Sequence, residues 1–157
     1  MTQAATAAQP TEPALLREDA RGVATLTLNR PRASNSLNHD LLRLLGSEFQ
    51  SIAGDLSVRV VVIEAAGQVF CAGHDLKELR ADPTRQNYQE TFRQSSRVMK
   101  AIVALPQPVV AKVQGTATAA GCQLVATCDL AIAADTASFA TPGVNIGLFC
   151  STPMVAT

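Results

Sequence analysis

Alternating polar and apolar positions early in the chain predict a half-buried β-strand. The segment Val23–Asn29 reads VATLTLN, so that Ala24, Leu26 and Leu28 share one face. Other segments are short and almost continuously apolar, as strands buried on both faces of a parallel sheet are. These segments are Arg59–Glu64, Val109–Val113 and Asp129–Ala134.

Helical spacing of apolar residues predicts two amphipathic helices between these strands. The first spans Asn38–Gly54, with Asn38 as its N-cap. Its apolar stripe consists of Leu41, Leu42, Leu45, Phe49 and Ile52. The second spans Arg85–Leu105, and its predicted inward side chains are Tyr88, Phe92, Met99, Ile102 and Val103. A shorter helix is expected near Cys122–Thr127. The alternation of strands and helices predicts an α/β fold with parallel pairing.

The two ends of the chain differ from its middle. Residues 1–13 read MTQAATAAQPTEP and show no apolar period, which predicts a flexible tail ahead of one folded region, residues 14–157. The tail has neither the regions of a signal peptide nor the arginines of a mitochondrial transit peptide. Residues 155–157 carry no terminating signal, so we expect residues 14–157 to be the N-terminal portion of a longer domain.

Composition argues against two classes of partner. Lys plus Arg and Asp plus Glu both number 13, and a chain without net charge lacks the basic excess that nucleic-acid binding needs. Aromatic residues make up only 4% of the chain, so base-stacking platforms are scarce. No apolar run reaches the length of about 18 residues that a membrane-spanning helix needs. We therefore expect no nucleic-acid and no membrane partner.

The cysteine and histidine pattern predicts no metal site. The chain has 4 cysteines and 2 histidines, and no two cysteines form a C-x-x-C pair. Each cysteine lies among small apolar residues, as reduced and buried thiols do. We expect a cytoplasmic protein, or one of the mitochondrial matrix if the source is eukaryotic.

Two turns rich in small residues are the candidates for chemistry. One is Phe70–Leu76, FCAGHDL, and the other is Gly115–Cys122, GTATAAGC; each follows an apolar segment and opens a helix. Backbone N–H groups at helix starts are unpaired, and two such sets facing one cavity could bind an oxyanion. Tight turns that serve packing alone are the alternative. Dinucleotide, P-loop and serine-hydrolase motifs do not occur.

Three separated motifs resemble the crotonase superfamily, the enoyl-CoA hydratase/isomerase fold. They are NRP with NSL at residues 29–37, FCAGHDLKEL at 70–79, and PVVAKVQGTATAAGCQLVATCDLAIAA at 108–134. The resemblance implies a crotonase-like spiral of β-β-α units. We expect this chain to be truncated before the C-terminal helices of that fold. It also implies a homotrimer or hexamer for the full-length protein.

The same resemblance implies an acyl group carried as a coenzyme A thioester, with no permanently bound cofactor. The backbone N–H groups of His74 and Ala120 would form the oxyanion hole for the thioester oxygen. Phe149 would line the acyl pocket. Coenzyme A contacts carry over to Arg32, Ala33, Ala72, Asp75, Leu76 and Lys77. For Asp75, capping the following helix is the other interpretation.

Two positions depart from the hydratases of this family, which use two glutamates to hold and activate water. This chain has Gln123 and Gly143 there. An amide cannot take a proton from water near neutral pH, and glycine has no side chain. Naphthoate-synthase-like members also have glycine at the second position and use a bound bicarbonate instead. Cys150 is expected to be a small buried side chain; its use as a nucleophile is the alternative.

The sequence is compatible with three functions. The first is an acyl-CoA enzyme of the hydratase/isomerase family in fatty-acid or acyl-CoA metabolism, with altered or weak chemistry. The second is an acyl-CoA-binding or regulatory protein without catalysis. The third is an incomplete chain without activity. The RNA-binding variant of the family relies on a lysine-rich helix, and this chain has only Lys77, Lys100 and Lys112.

Overall fold

The computed structural model describes residues 12–147. Its strands are β1 Leu15–Ala20, β2 Val23–Leu28, β3 Val60–Ala65, β4 Val69–Cys71, β5 Val109–Val113, β6 Thr116–Thr118, β7 Leu130–Ala133 and β8 Phe139–Ala140. Its helices are α1 His39–Ala53, α2 Leu76–Ala81, α3 Arg85–Ala104 and α4 Ala120–Thr127. Short 3-10 turns lie at Pro31–Ala33 and Pro142–Ile146. Most of the predicted tail, as well as Phe149 and Cys150, lies outside the described residues.

The strands form two sheets. The larger one has the order β1-β2-β3-β5-β7, in which β1 pairs antiparallel with β2 and the other pairs are parallel. The smaller one has the order β4-β6-β8 and is parallel throughout. Successive parallel strands are joined by crossover segments, as strand pairing of this kind requires. The predicted α/β class with parallel pairing is confirmed.

Four strands lie within one or two residues of the predicted segments, and the apolar stripe of α1 is buried as expected. Four other strands were not predicted. Three of them, β4, β6 and β8, have only two or three residues, which is too short to show a period. The fourth, β1, is an edge strand with the sequence LLREDA, and its mostly polar outer positions hide the alternation.

The predicted inward face of α3 is wrong in part. Its buried residues are Thr91, Ser95, Val98, Met99 and Ile102. Tyr88, Phe92 and Val103 are 37%, 49% and 75% exposed. The prediction placed apolar side chains on the buried face of α3, but two hydroxyl residues, Thr91 and Ser95, are buried there instead. Thr91 is accommodated there because its Oγ1 donates to the Asn87 carbonyl at 3.0 Å and lies 2.6 Å from His39 Nε2.

The core lies between the larger sheet and its helices and continues under the smaller sheet. Its largest fully buried side chains include Leu26, Phe49 and Ile63 in the first part and Phe70 and Leu124 in the second. This packing fixes the carboxyl ends of β4 and β6, from which the two small-residue turns leave. Among the described residues, no helix is long and apolar enough to cross a membrane.

Candidate functional site

The first small-residue turn follows β4 and presents the N–H of His74. An isolated parallel bridge joins Leu37 to His74: Leu37 N–H donates to the Gly73 carbonyl at 2.8 Å, and Asp75 N–H donates to the Leu37 carbonyl at 3.1 Å. In such a bridge the middle residue directs its own N–H away from the neighbouring strand. Within residues 12–147 the His74 N–H has no hydrogen-bond partner.

Within the second small-residue turn, Thr116–Thr118 forms the strand β6, and the residues after this strand present the N–H of Ala120. Ala119 has φ +50° and ψ −122°, a backbone conformation that few non-glycine residues adopt. Its N–H donates to the Ala140 carbonyl at 2.9 Å, and α4 starts at the next residue. The Ala120 N–H belongs to the first helical turn, where no intrahelical acceptor exists, and no other described residue accepts it.

The two turns lie side by side at one edge of the smaller sheet. Cys71 of β4 pairs with Ala117 of the parallel strand β6, so both strands end at the same edge. Thr118 Oγ1 donates to the Ala72 carbonyl at 3.1 Å and joins the turns directly. A Cβ placed on Gly73, which has φ +92°, would lie 3.2 Å from the Ala120 nitrogen. The unpaired N–H groups therefore belong to turns in contact.

The imidazole of His74 lies beside the first turn. It is half-buried and meets Phe92 of α3 edge to face, with ring centroids 5.2 Å apart and an interplanar angle of 89°. Its Nδ1 is buried and has no partner among the described residues. Burial lowers the pKa of His74 below its usual 6.5, so the ring is neutral at neutral pH.

Asp75 caps α2, as one of the two sequence interpretations has it. Its Oδ1 accepts from the N–H groups of Lys77 and Glu78 at 3.1 and 3.3 Å. Its Oδ2 accepts from Arg30 at 2.9 Å and from Ser36 at 3.1 Å. Burial raises the pKa of this carboxyl, but the hydrogen bonds from Arg30, Glu78 and Ser36 outweigh burial, and the net pKa is lowered. Both carboxylate oxygens are thus occupied.

The other residues expected to contact coenzyme A lie around the first turn and the loop that pairs with it. Arg32 and Ala33 belong to the 3-10 turn Pro31–Ala33, and Arg32 is exposed. The next residue, Ser34, accepts a hydrogen bond from Ala72 N–H at 3.0 Å, which brings this loop to the first turn. Three residues of the first turn and the start of α2 are exposed, namely Ala72, Leu76 and Lys77.

Gln123 and Gly143, which stand where the hydratases of the family are expected to have glutamates, lie near the second turn. Gln123 is three residues after Ala120 in α4, one helical turn along the same face, and is half-buried. Gly143 is buried inside the 3-10 turn Pro142–Ile146, which follows β8, the strand that pairs with β6. A 3-10 turn has φ values that any residue adopts, so its backbone does not require glycine there.

The cysteines near these turns have raised pKa values because they are buried. Cys71, Cys122 and Cys128 are free thiols. Burial raises the pKa of Cys71 and of Cys128 to about 12, which keeps both protonated at neutral pH. In the part of the chain described, no group of three or more His, Cys, Asp or Glu side chains is arranged to hold a metal ion.

Arg30 is the site residue that the sequence did not single out. It belongs to the NRP motif, but nothing local shows that its guanidinium reaches Asp75, 45 residues further along the chain. An arginine followed by proline at the end of a strand is the only signal available, and it indicates only that the strand ends.

Comparison with known proteins agrees with this architecture. The family model for enoyl-CoA hydratase/isomerase matches residues 18–156. A crystal structure of an enoyl-CoA hydratase from Mycobacterium smegmatis superimposes with a TM-score of 0.87 at 57% identity, over 92% of this chain and 57% of that one. The human enoyl-CoA hydratase domain-containing protein 3 structure gives a TM-score of 0.87 at 47% identity, over 91% and 56%.

A curated relative matches over a similar stretch. The Xenopus laevis enoyl-CoA hydratase domain-containing protein 3, described as mitochondrial, is 45% identical over 144 residues, which are 92% of this chain and 49% of that protein. The chain thus spans about half the length of the curated relatives it matches. The family model covers most of the chain and the solved structures superimpose on its fold, so the chain belongs to the enoyl-CoA hydratase/isomerase family.

Proposed function

We propose that this protein binds acyl-CoA thioesters and holds the thioester oxygen between the N–H groups of His74 and Ala120. The observation that carries the proposal is the pair of unpaired N–H groups on adjoining turns at the ends of the paired strands β4 and β6. Membership of the enoyl-CoA hydratase/isomerase family supports a thioester as the ligand.

Two fixed N–H donors stabilise the negative charge that grows on a thioester oxygen when an enolate forms. In comparable oxyanion holes, loss of one donor costs about 2.7–4 kcal/mol of transition-state stabilisation. The Ala120 N–H also lies at the positive end of the α4 dipole. Because Ala119 holds an uncommon backbone conformation, this N–H is oriented before any ligand arrives.

Coenzyme A would lie along the loop at Pro31–Ala33 and the first turn. The exposed side chains of Arg32 and Lys77 supply positive charge for its phosphates. The Asp75 carboxylate is engaged with Arg30 and with the N-terminus of α2, so neither carboxylate oxygen of Asp75 is without a partner before coenzyme A binds. Ala33, Ala72 and Leu76 would contact the adenosine or pantetheine parts.

The reaction that follows binding is not the water addition that a two-glutamate hydratase catalyses. Gln123 and Gly143 supply no carboxylate, and each positioned acid or base typically contributes about 10²–10⁴-fold in rate. We propose an enzyme of acyl-CoA or fatty-acid metabolism whose isomerase-like or lyase-like step relies on enolate stabilisation. The absence of both carboxylates favours one alternative, a non-catalytic acyl-CoA-binding protein.

Assembly and compartment complete the proposal. A trimer or pair of trimers is proposed for the full-length protein, with no nucleic acid and no membrane as partner. Its compartment would be reducing, either the cytoplasm or the mitochondrial matrix named for the Xenopus laevis relative. The free thiols of Cys71, Cys122 and Cys128 agree with a reducing compartment.

Calorimetry with a panel of acyl-CoA thioesters tests binding, and mass spectrometry of the same mixtures tests turnover. We expect acyl-CoA to bind, and Arg32→Gln and Lys77→Gln each to weaken binding by about two- to tenfold. Arg43→Gln, which removes an exposed cation from α1, is the matched control and should change nothing. No heat with any thioester from a folded sample would refute the proposal; binding without turnover would favour the non-catalytic protein.

A further inference from the structure

We propose that the half-buried ion pair between Arg30 and Asp75 is the positioning element that aims the His74 N–H at the thioester oxygen. The inference rests on the function proposed above and adds a residue, Arg30, to the machinery of that site. Arg30 and Asp75 act here as positioning residues, since the polar atoms of both side chains bind each other, Ser36 and the N-terminus of α2.

The pair is well shielded and has more than one link. The side chains of Arg30 and Asp75 are 20% and 13% exposed, and Nη2 lies 2.9 Å from Oδ2. The second guanidinium nitrogen, Nη1, donates to the Ser36 carbonyl and lies 3.3 Å from Ser36 Oγ. Ser36 Oγ in turn donates to Asp75 Oδ2 at 3.1 Å. The three side chains form one closed network.

Backbone hydrogen bonds of Leu37, next to this network, hold the peptide group that contains the His74 N–H and the peptide group that follows it. Asp75 directly follows His74, and its own N–H is bound to the Leu37 carbonyl, while Leu37 N–H binds the carbonyl of Gly73. Leu37 follows Ser36, a member of the network. The direction of the His74 N–H is therefore set by the position of Asp75 and of the segment around Ser36, and Arg30 binds both.

The same network reaches the loop proposed to hold coenzyme A. Arg30 immediately precedes the 3-10 turn Pro31–Ala33, and its backbone N–H donates to Asn35 Oδ1 at 2.8 Å. Asn35 is fully buried, has φ +51° and donates through Nδ2 to the carbonyls of Ala66 and Val69 at 2.8 and 2.7 Å. Such an arrangement keeps the loop in one conformation relative to β4 and the first turn.

An ion pair of this kind is sensitive to loss of one partner. Removing one member of a shielded pair leaves the other charge without its counterion, whereas exposed pairs contribute little. Without Asp75 the Arg30 guanidinium would turn toward water and release Ser36. The first turn would then lose its fixed position, although β4 and β6 would still pair.

Isotope-edited infrared spectroscopy of crotonyl-CoA labelled with ¹³C at the thioester carbonyl tests the inference. Hydrogen bonds to this oxygen lower the carbonyl stretching frequency, so the shift reports the N–H donors whether or not turnover occurs. Asp75→Asn keeps an oxygen to cap α2 and removes the charge. We expect this variant to lose at least half of the wild-type frequency shift, and Arg30→Lys to lose less because its charge remains.

Glu48→Gln is the matched control. It breaks the Arg17–Glu48 pair, which is 3.0 Å long and has side chains 21% and 30% exposed, between β1 and α1. This change should lower stability without altering the carbonyl frequency, which separates positioning from a general loss of stability.

Each outcome decides one proposal. A folded Asp75→Asn protein with the full wild-type shift would overturn the inference and leave the proposed function intact. If Asp75→Asn does not fold by circular dichroism, Arg30→Gln decides, because it removes the charge that binds Asp75, and an unchanged shift there would overturn the inference. A labelled thioester of the calorimetry panel that binds the wild-type protein without any shift, or a panel of which no member binds, would overturn the proposed function and this inference with it.

Discussion

Gly121 lies so close to Cys71 that a Cβ added to the glycine would be 2.2 Å from the Cys71 carbonyl oxygen. A glycine at this position allows the first turn of α4 to pack directly on β4. The two turns that present the N–H groups of His74 and Ala120 are held together by this contact and by the hydrogen bond from Thr118 to Ala72.

Gly121→Ala is expected to force α4 away from β4. The obstructing atoms are backbone and Cβ atoms of Cys71, which cannot rotate away, so we expect a loss of about 1–3 kcal/mol in the free energy of unfolding. Urea unfolding measures the loss, and binding of acyl-CoA should weaken as Ala120 moves. Gly46→Ala is the control in α1, where nothing lies within 4 Å, and should raise stability by up to about 1 kcal/mol. Equal effects of the two substitutions would contradict the close contact.

Ala119→Gly is expected to leave stability unchanged or raise it. Backbone conformations with positive φ cost a non-glycine residue about 1–3 kcal/mol, which exceeds the extra entropy that glycine loses on folding, about 0.5–1 kcal/mol. Thermal unfolding measures the change. The control, Ala101→Gly within α3, should cost about 1 kcal/mol, as glycine does in helices. A clear loss of stability in Ala119→Gly would mean that its backbone is unstrained.

Hydration of crotonyl-CoA should be slower than in a two-glutamate hydratase by roughly 10³-fold or more, because Gln123 and Gly143 cannot activate water. Gln123→Glu alone should restore little. The double variant with Gly143→Glu should recover more than the two single changes together, since two acids would act on one water. The rate of loss of the enoyl absorbance measures this.

Gly143 lies in a 3-10 turn and is buried, so a glutamate side chain there must displace neighbouring groups. Circular dichroism of Gly143→Glu therefore accompanies the rates. A wild-type turnover within tenfold of a two-glutamate hydratase would show that another group replaces the carboxylates.

Acid should lower the free energy of unfolding, in part because Asp75 becomes protonated. The folded-state pKa of this carboxyl lies below its usual 3.8, so its ionised form stabilises the fold at higher pH, and this stabilisation is lost as the pH falls through about 4 and below. Asp75→Asn should be less stable at neutral pH but show a shallower loss in acid. Unfolding free energies measured from pH 6 to pH 3 test this. Parallel profiles for variant and wild type would contradict it.

The sequence alone determined the features that depend on neighbours along the chain. The apolar stripe of α1 and the strand β2 are encoded as periodic patterns, because burial of one face repeats with the period of the element. Asn38 and Asp75 were predictable as helix caps, since a cap acts on N–H groups two or three residues away. The resemblance of three motifs indicated the family, which the comparisons show.

Only the tertiary structure decided which groups meet. The pairing of β4 with β6 places the turns of His74 and Ala120 together, yet each strand has three residues and leaves no period in the sequence. The contact of Arg30 with Asp75 spans 45 positions, and the positive φ of Ala119 arises where β6 turns into α4 against β4. Phe92 is exposed because α3 buries the face that carries Thr91 and Ser95 and not the face that carries Phe92. Contacts between distant segments are set by packing of the whole sheet, and no local pattern records them.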